Sequence, residues 1–264
     1  MTWLESLILG IVQGLTEFLP VSSSGHLEIG SVLFGIETTD NLLLAVVLHA
    51  ATALSTVLVL RREIATIILD LFRFKWNDST KFTLRIFISI VPVGIVGIFF
   101  ESQIEQVFTG NLLLVGSCLI FTSFLLILTS RVGKGDKEIS SRSALIIGLA
   151  QAIAILPGIS RSGATISTAL LLGVEKTKAT HFSFLMVLIP IFGAAALKLK
   201  DYFEAGESTM DTPAYLLIVG FVSAFVSGYI ACRWMIGIVR RGKLSYFAIY
   251  CFVVGLIAIL SQLI

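Results

Sequence analysis

The sequence predicts an all-α, polytopic membrane protein with six transmembrane helices and two re-entrant helical hairpins, related as an inverted-topology repeat. Three observations support this fold class: the composition, two interrupted apolar regions, and the distribution of Lys and Arg. Of the 264 residues, 56% are hydrophobic and only 14% are charged, whereas soluble domains carry about 25% charged residues. We therefore expect one integral membrane domain over residues 1–264.

Six apolar segments are long enough to cross a bilayer, which requires about 20 mostly apolar residues. They are residues 42–60, 82–100, 111–130, 181–199, 214–235 and 244–264. Two further apolar regions, 3–34 and 143–173, are interrupted near their centres by Ser, Gly and Pro, so each half is too short to cross. Because broken backbone at membrane depth survives only inside protein or beside a wet cavity, both regions predict re-entrant hairpins.

The two interrupted regions carry the same polar motif. The first region contains Gly10, Gln13, Ser22, Ser24 and Gly25, and the second contains Gly148, Gln151, Ser160, Ser162 and Gly163. Every matched pair is offset by 138 residues, as Ser22 and Ser160 are, and only the prolines, Pro20 and Pro157, break the register. The chain therefore contains an internal repeat.

The Lys and Arg residues predict the orientation of this repeat. Fifteen of the nineteen lie in the loops 61–81, 131–142, 174–180 and 233–243. By the positive-inside rule these loops are cytoplasmic. The first hairpin then enters the membrane from outside and the second from the cytoplasm, so the two polar motifs meet near the middle of the bilayer.

Composition also limits the partners. The net charge is +2 and no long basic run is present, so we expect no nucleic-acid partner. The three cysteines, Cys118, Cys232 and Cys251, are isolated and lack the spacing of a metal site. We expect contact with membrane lipids, and a homodimer is one oligomeric state that the sequence leaves open.

Ionisable side chains lie within both polar motifs: Glu17 and His26 in the first, and Arg161 in the second. A charged side chain at the centre of a bilayer costs about 2.5–3.5 kcal/mol even on lenient scales, and such residues usually have a function. Gln13 and Glu17 are four residues apart, so they share one face of a helix. These residues are therefore candidates for chemistry.

Both motifs also predict anion-binding turns. A turn rich in Ser and Gly that precedes a helix presents free backbone N–H groups and a positive dipole end. The candidate binding residues are Gln13, Ser22, Ser24, Gly25, Gly158, Ser160, Ser162, Gly163 and Thr165. Arg161 can bind a phosphate through two parallel hydrogen bonds. Two such turns that meet in the membrane suit a diphosphate better than a monophosphate.

A structural interpretation of the same residues stays open. Serines before a helix are usually N-caps, and the motif glycines can serve only to permit tight turns. Glu17 and Arg161 can form an ion pair across the interface between the repeats. A pure scaffold, however, leaves the presence of three ionisable groups inside the membrane unexplained.

The stretch from Gln13 to His26 and the stretch from Pro157 to Thr165 resemble the two signatures of the undecaprenyl-diphosphatase family, also called the bacitracin-resistance family. Length and hydrophobic layout agree along the whole chain. The resemblance implies a phosphatase of the cell membrane that converts undecaprenyl diphosphate to undecaprenyl phosphate and inorganic phosphate. Such an enzyme recycles the carrier lipid for the synthesis of cell-wall peptidoglycan, and its substrate is a polyprenyl diphosphate lipid.

The resemblance implies four catalytic residues. Glu17 would be the essential acid or base, acting directly or through His26. Ser23 matches the position of a nucleophile or phosphate ligand, and Arg161 matches the arginine of the second signature, with Ser160 beside it as a phosphate contact. Whether Ser23 becomes phosphorylated or a water attacks directly stays open.

The resemblance also implies a metal contact at Glu17, through a divalent cation such as Mg²⁺ or Ca²⁺. The first position of the signature is Gln13, which is the amide variant of an acidic position. The amide weakens any mechanism in which two carboxylates bind the cation.

A transporter that moves polyprenyl phosphate across the membrane is the alternative function, because inverted repeats with broken helices are typical of transporters. It uses the same residues but releases no phosphate. For the phosphatase we expect an active site that faces the extracytoplasmic side, where the lipid diphosphate is left after polymer transfer.

Overall fold

The computed structural model describes residues 1–34, 42–133, 135–204 and 213–262. Over these residues the chain is built from α-helices and contains no β-strand, which confirms the all-α class. The helices are α1 Trp3–Phe18, α2 Ser23–Phe34, α3 Leu42–Val59, α4 Arg61–Leu71, α5 Asp78–Phe108, α6 Leu112–Ser130, α7 Ser141–Ile153, α8 Arg161–Leu171, α9 Lys176–Glu204, α10 Ala214–Arg241 and α11 Ser245–Leu260.

Four of these helices are long and apolar enough to cross a membrane: α6, α10, the Asp78–Phe100 part of α5 and the Lys176–Leu197 part of α9. A fifth crossing results if α3 and α4 are counted as one pair, which is bent by 79°. The apolar helix α11 has 16 residues, and the predicted span to which it belongs ends with residues 263–264, outside the described residues. The structure therefore supports a multi-pass membrane protein with four or five candidate crossings, where the sequence predicts six.

Both predicted interruptions are present. The chain leaves the helical conformation after α1 and resumes it at Ser23, and it does the same after α7 before it resumes at Arg161. The four helices that flank the interruptions, α1, α2, α7 and α8, have 16, 12, 13 and 11 residues. Each of them is shorter than the roughly 20 residues that a crossing requires. We call α1–α2 the first hairpin and α7–α8 the second hairpin.

The first helix of each hairpin packs on a helix from the opposite half of the chain. Helix α1 lies mainly on α10, and α7 lies mainly on α5. Helix α3 packs on α9, and α6 packs on α11. If α1–α6 and α7–α11 are taken as two halves, the first helix of each half thus contacts a helix of the other. The two halves are interlocked rather than side by side.

Small residues permit the close approach of these helices. A Cβ atom at Gly10 would lie 1.9 Å from Ser223 Oγ, and one at Gly14 would lie 2.0 Å from Ser227 Oγ. In the second hairpin, a Cβ atom at Gly148 would lie 2.3 Å from the carbonyl oxygen of Ser89. Interfaces between membrane helices are enriched in small residues because these let the backbones approach. The repeated motif glycines Gly10 and Gly148 therefore have a packing role.

Candidate active site

The turns of the two hairpins are capped in the same way. Ser22 Oγ accepts the backbone N–H of Gly25 at 3.2 Å, and Ser160 Oγ accepts that of Gly163 at 3.1 Å. These two bonds are related by the 138-residue offset. Because an N-cap satisfies one of the free N–H groups at a helix start, Ser22 and Ser160 each have the structural role that the N-cap interpretation gives them.

The two turns also touch each other. The backbone N–H of Gly158 donates to Ser22 Oγ at 3.1 Å, so one hydroxyl holds both turns. Gly158 has a φ of 95°, a conformation that favours glycine. A Cβ atom at Gly25 would lie 2.9 Å from Gly158 Cα. The predicted binding residues Gly25 and Gly158 therefore bring the two turns together.

Helix α6 supports the second turn through Thr122, a residue that the sequence analysis missed. Thr122 Oγ1 donates to the carbonyl oxygen of Gly158 at 3.0 Å and accepts the N–H of Ser160 at 3.1 Å. Ser162 Oγ donates to the carbonyl oxygen of Leu19 at 3.3 Å, which adds a further link to the first turn. No local pattern marks Thr122, because its partners are 36 and 38 residues away along the chain.

Glu17 and Arg161 form an ion pair where the hairpins meet. Arg161 Nη2 donates to Glu17 Oε1 at 2.9 Å. The Glu17 side chain is 5% exposed, and that of Arg161 is 30% exposed. The ion-pair interpretation therefore describes this geometry. The same geometry joins a carboxylate from one repeat and, from the other, the guanidinium that is the candidate phosphate-binding group.

The second carboxylate oxygen of Glu17 faces the first turn. Glu17 Oε2 accepts the side-chain N–H of Gln13 at 3.0 Å and the hydroxyl of Ser23 at 3.4 Å. Ser23 is the first residue of α2, as Arg161 is of α8. One carboxylate thus contacts both the candidate nucleophile and the candidate phosphate-binding side chain.

His26 points away from this cluster. Its Nδ1 lies 2.8 Å from the carbonyl oxygen of Ser22, and its Nε2 lies 2.8 Å from the hydroxyl of Tyr250 on α11. Among the described residues, no hydrogen bond joins His26 to Glu17 or Ser23. The structure therefore brings three of the four predicted catalytic residues together and places the fourth, His26, on the far side of the first turn.

Helix α3 carries polar side chains beside the candidate site. His49 Nδ1 lies 2.8 Å from the carbonyl oxygen of Ala45. Thr52 and Thr56 follow at helical spacing. From the sequence, His49 is expected to pack between helices, and the two threonines on the same face of this apolar helix were not singled out.

A cleft beside the ion pair contains about 340 Å³ of empty space, part of which is open to solvent. It is lined by Glu17, Phe18, Thr52, Thr56, Arg161, Ser162, Thr165, Ser183, Phe184, Val187 and Ile191. Two of the nine predicted binding residues, Ser162 and Thr165, are in this set, and the other seven, among them Ser24 and Gly163, are not. Because charged and hydroxyl groups meet apolar side chains in one cleft, its lining suits a ligand with a polar end and an apolar end.

The described parts of the chain contain no group of three or more His, Cys, Asp or Glu side chains that could hold a metal ion. Glu17 is the candidate ligand, and both of its oxygens already accept hydrogen bonds. A cation at Glu17 would therefore require further oxygen ligands from a substrate.

Comparison with known proteins identifies the family. The family model described as bacitracin resistance protein BacA matches residues 6–257. The undecaprenyl-diphosphatase of Parabacteroides distasonis is 54% identical over 264 residues, which cover 100% of this chain and 99% of the relative. That of Bacteroides thetaiotaomicron is 52% identical over the full length of both chains. That of Halothermothrix orenii is 40% identical over 96% of each chain. This chain belongs to the BacA family of bacitracin resistance proteins.

Proposed function

We propose that this membrane protein hydrolyses undecaprenyl diphosphate to undecaprenyl phosphate and inorganic phosphate. The observation that carries the proposal is the contact of one carboxylate, that of Glu17, with both Ser23 and Arg161. Relatives that match the whole chain are named undecaprenyl-diphosphatase. The reaction recycles the carrier lipid of cell-wall synthesis.

Arg161 and the backbone N–H groups at the start of α8 bind the diphosphate. Phosphoryl transfer is largely a problem of positioning and electrostatic stabilisation, and a helix start favours an anion. A phosphate that takes the place of Glu17 at Arg161 Nη2 gains two parallel hydrogen bonds from the guanidinium. The same exchange frees the Glu17 carboxylate to act as a base.

Glu17 acts directly on Ser23 rather than through His26. The distance of 3.4 Å between Ser23 Oγ and Glu17 Oε2 is long, but catalytic hydrogen bonds are often long before substrate binds. Ser23 Oγ attacks the terminal phosphorus, its proton passes to Glu17, and undecaprenyl phosphate leaves. Water then hydrolyses the phosphoserine. The general-base contribution is worth about 10²–10⁴-fold in rate.

Direct attack by water is the competing route, in which Ser23 only binds phosphate. Trapping a phosphoenzyme on Ser23 would support the covalent route. A Ser23→Ala variant that keeps near-normal turnover would contradict it, and Glu17 would then activate the water instead.

A divalent cation, Mg²⁺ or Ca²⁺, is a separate part of the proposal. It would be held by Glu17 together with phosphate oxygens of the substrate, since Mg²⁺ often combines one or two carboxylates with substrate phosphates. When bound, it neutralises charge on the phosphates. Undiminished turnover by protein stripped with EDTA would remove the cation from the mechanism.

The proposal places the site between two inverted repeats, with α3, α5, α6, α9, α10 and α11 as the six crossings. The interlocked packing of the hairpins supports this arrangement. So does a pair of close approaches: a Cβ atom at Gly25 faces Gly158, and a Cβ atom at Gly163 would lie 3.2 Å from Pro20 Cβ. At the 138-residue offset, Gly25 corresponds to Gly163 and Gly158 corresponds to Pro20. The two contacts are therefore equivalent, as a two-fold relation between the repeats requires.

We further propose that the site opens to the extracytoplasmic side. The distribution of Lys and Arg puts the first hairpin on that side. Single cysteines introduced near residue 26 should react in intact cells with reagents that cannot cross the membrane. Protection of these cysteines from outside would contradict the orientation.

Movement of polyprenyl phosphate across the membrane is the second candidate function. Interlocked halves with broken helices at a shared site favour it, since they are typical of transporters. It involves the same residues but predicts transport without release of phosphate.

The deciding experiment is phosphate release from undecaprenyl diphosphate by detergent-purified protein. Wild-type protein should release phosphate, and Glu17→Ala and Arg161→Ala should not. Arg73→Ala is the matched control, because Arg73 pairs with Asp70 on an exposed surface with a 69% exposed side chain. Absence of release by folded wild-type protein, with a divalent cation present, would contradict the phosphatase and favour transport.

A further inference from the structure

The hydroxyl of Tyr250 is hydrogen-bonded to His26 Nε2, the ring nitrogen that faces away from the first turn, at 2.8 Å. The other ring nitrogen, Nδ1, lies 2.8 Å from the carbonyl oxygen of Ser22. A carbonyl oxygen can only accept, so Nδ1 carries a proton. In the neutral ring Nε2 is then an acceptor, and the Tyr250 hydroxyl donates to it. The two partners together define one tautomer of His26.

The geometry of the two rings fits this bond. The planes of His26 and Tyr250 are 6° apart, with 5.5 Å between the ring centroids. The two side chains therefore make a ring contact in addition to the hydrogen bond of 2.8 Å.

Helix α11 holds the first turn at two points. Next to Tyr250, Cys251 Sγ lies 3.4 Å from the carbonyl oxygen of Pro20. Pro20 precedes Ser22 and Ser23, and His26 follows them. The segment that carries Ser23 is thus fixed to α11 on both of its sides.

Ser22 connects the contact between α11 and His26 to the candidate active site. It has a φ of 67°, a conformation that non-glycine residues hold only where their surroundings enforce it. Its carbonyl oxygen is held by His26, and its hydroxyl holds the turn of the second hairpin. A chain of contacts therefore runs from Tyr250 through His26 and Ser22 to the position of Ser23.

We propose that Tyr250 is a positioning residue for phosphate release, which acts through His26 to fix the first turn and its Ser23 hydroxyl. This inference rests on the proposed function. The sequence offers no sign of it, because Tyr250 is 224 residues from His26 and lies in a segment without a motif.

The kinetic test is Tyr250→Phe, which removes the hydroxyl and keeps the ring. We expect kcat to fall roughly tenfold, less than the 10²–10⁴-fold effect of a group that transfers the proton itself, with KM nearly unchanged. Tyr246→Phe is the matched control, since Tyr246 lies one turn earlier on α11 and is 66% exposed. It should turn over like wild type.

The second readout needs no substrate. The chain has three histidines, so nitrogen-15 NMR of histidine-labelled protein is simple, and His26→Gln assigns the His26 signals. Wild-type His26 should show a protonated Nδ1 and a hydrogen-bonded, unprotonated Nε2. In Tyr250→Phe these signals should move toward a mixture of tautomers, while those of His49 and His181 stay in place.

A double variant tests the route through His26. His26→Gln and His26→Gln with Tyr250→Phe should have the same kcat. A further fall in the double variant would overturn the inference, because Tyr250 would then act independently of His26. Unchanged His26 signals in Tyr250→Phe would also overturn it. Absence of phosphate release by wild-type protein would contradict the proposed function instead. The NMR result would still decide whether Tyr250 determines which ring nitrogen of His26 carries the proton.

Discussion

Compared position by position, the first hairpin carries reactive side chains where the second carries apolar ones. At the 138-residue offset, Glu17 corresponds to Ile155 and His26 corresponds to Ala164. The carboxylate of Glu17 and the imidazole of His26 therefore have no counterparts in the second repeat. The two copies of the motif share their glycines and capping serines, whereas their ionisable side chains differ.

The start of the second helix in each hairpin makes the same point. Ser23 corresponds to Arg161, and both residues contact Glu17, each through a different oxygen of its carboxylate. One structural position thus holds a hydroxyl in one repeat and a guanidinium in the other. Under the proposed function, two copies of one turn would in this way supply the attacking group and the phosphate-binding group of a single site.

The two hairpins also differ in burial. In the second, the buried residues of α8 are Ser162, Gly163, Ala164, Thr165, Ile166, Ser167, Ala169 and Leu170. In the first, Gly25 is the one buried residue between Ser23 and Gly30. Helix α8 is therefore largely enclosed by its neighbours, whereas the residues of α2 from Ser23 to Gly30 are, apart from Gly25, half-buried or exposed.

The shift of one residue between the prolines explains why the two turns are not equivalent. Position 20 is a proline, and the matching position 158 is a glycine. The N–H of Gly158 donates to Ser22, but Pro20 has no N–H that could donate to Ser160. Accordingly, Ser22 has a φ of 67°, whereas Ser160 has a φ of −72°.

The largest effect is expected at Arg161, where the second hairpin is assigned phosphate binding. Arg161→Lys keeps the charge but loses the two parallel hydrogen bonds. We expect turnover to fall by about 10²–10³-fold, as for other groups that stabilise charge in a transition state. Phosphate release by purified protein measures it. Arg142→Lys is the control, because Arg142 lies on the exposed start of α7, and it should behave like wild type. Full turnover by Arg161→Lys would contradict the assignment of phosphate binding to the second hairpin.

A smaller effect, on protein stability, is expected from alanine substitutions of the motif glycines Gly25 and Gly163. A Cβ atom at Gly25 would lie 2.9 Å from Gly158 Cα and 3.0 Å from Gly158 N, which are backbone atoms. At Gly163 the nearest atoms are those of the Ser160 side chain, at 3.0 and 3.1 Å. We expect Gly25→Ala to lower stability by about 1–3 kcal/mol, and Gly163→Ala to lower it less.

Thermal unfolding in detergent measures both variants. Gly30→Ala is the control, because no atom lies within 4 Å of its added Cβ and alanine favours a helix more than glycine does. Equal losses of stability in Gly25→Ala and Gly163→Ala would contradict this prediction. The contact of Gly25 with the backbone of Gly158 would then be no tighter than that of Gly163 with the Ser160 side chain.

Much of this architecture could be predicted from sequence because it depends on local composition. The breaks before Ser23 and Arg161 follow from short apolar halves and from Pro, Gly and Ser at the interruptions. The contact between Glu17 and Arg161 was within reach as well, since an inverted repeat with its polar motifs at mid-membrane puts both residues at one interface. The ion pair at 2.9 Å agrees with that expectation.

What could not be predicted depends on side-chain direction and on distant partners. The spacing between Glu17 and His26 does not reveal that the imidazole turns toward Tyr250, because the direction of α2 relative to α1 is set by the turn between them. Thr122 was missed for a similar reason, since it contacts the second turn only after α6 has packed against α8.

The smallest expected effect concerns the glutamines of the repeat. Gln13 donates to Glu17, but at the matching place beside Gln151 the chain has Ile155. Gln151 is 1% exposed, and neither polar atom of its side chain has a hydrogen-bond partner among the described residues. A buried polar group without a partner costs about 1–3 kcal/mol. We therefore expect Gln151→Leu to keep or raise the unfolding temperature and to leave turnover unchanged.

Gln13→Leu is the matched variant and should do the opposite. It removes a donor from Glu17 Oε2 and should lower turnover, because the carboxylate is then less firmly held toward Ser23. Unfolding temperature and phosphate release, measured on both variants, separate the two effects. A large loss of turnover in Gln151→Leu would mean that the second glutamine contacts substrate or an ordered water in the working enzyme, and the reactive chemistry would then not be confined to the first hairpin.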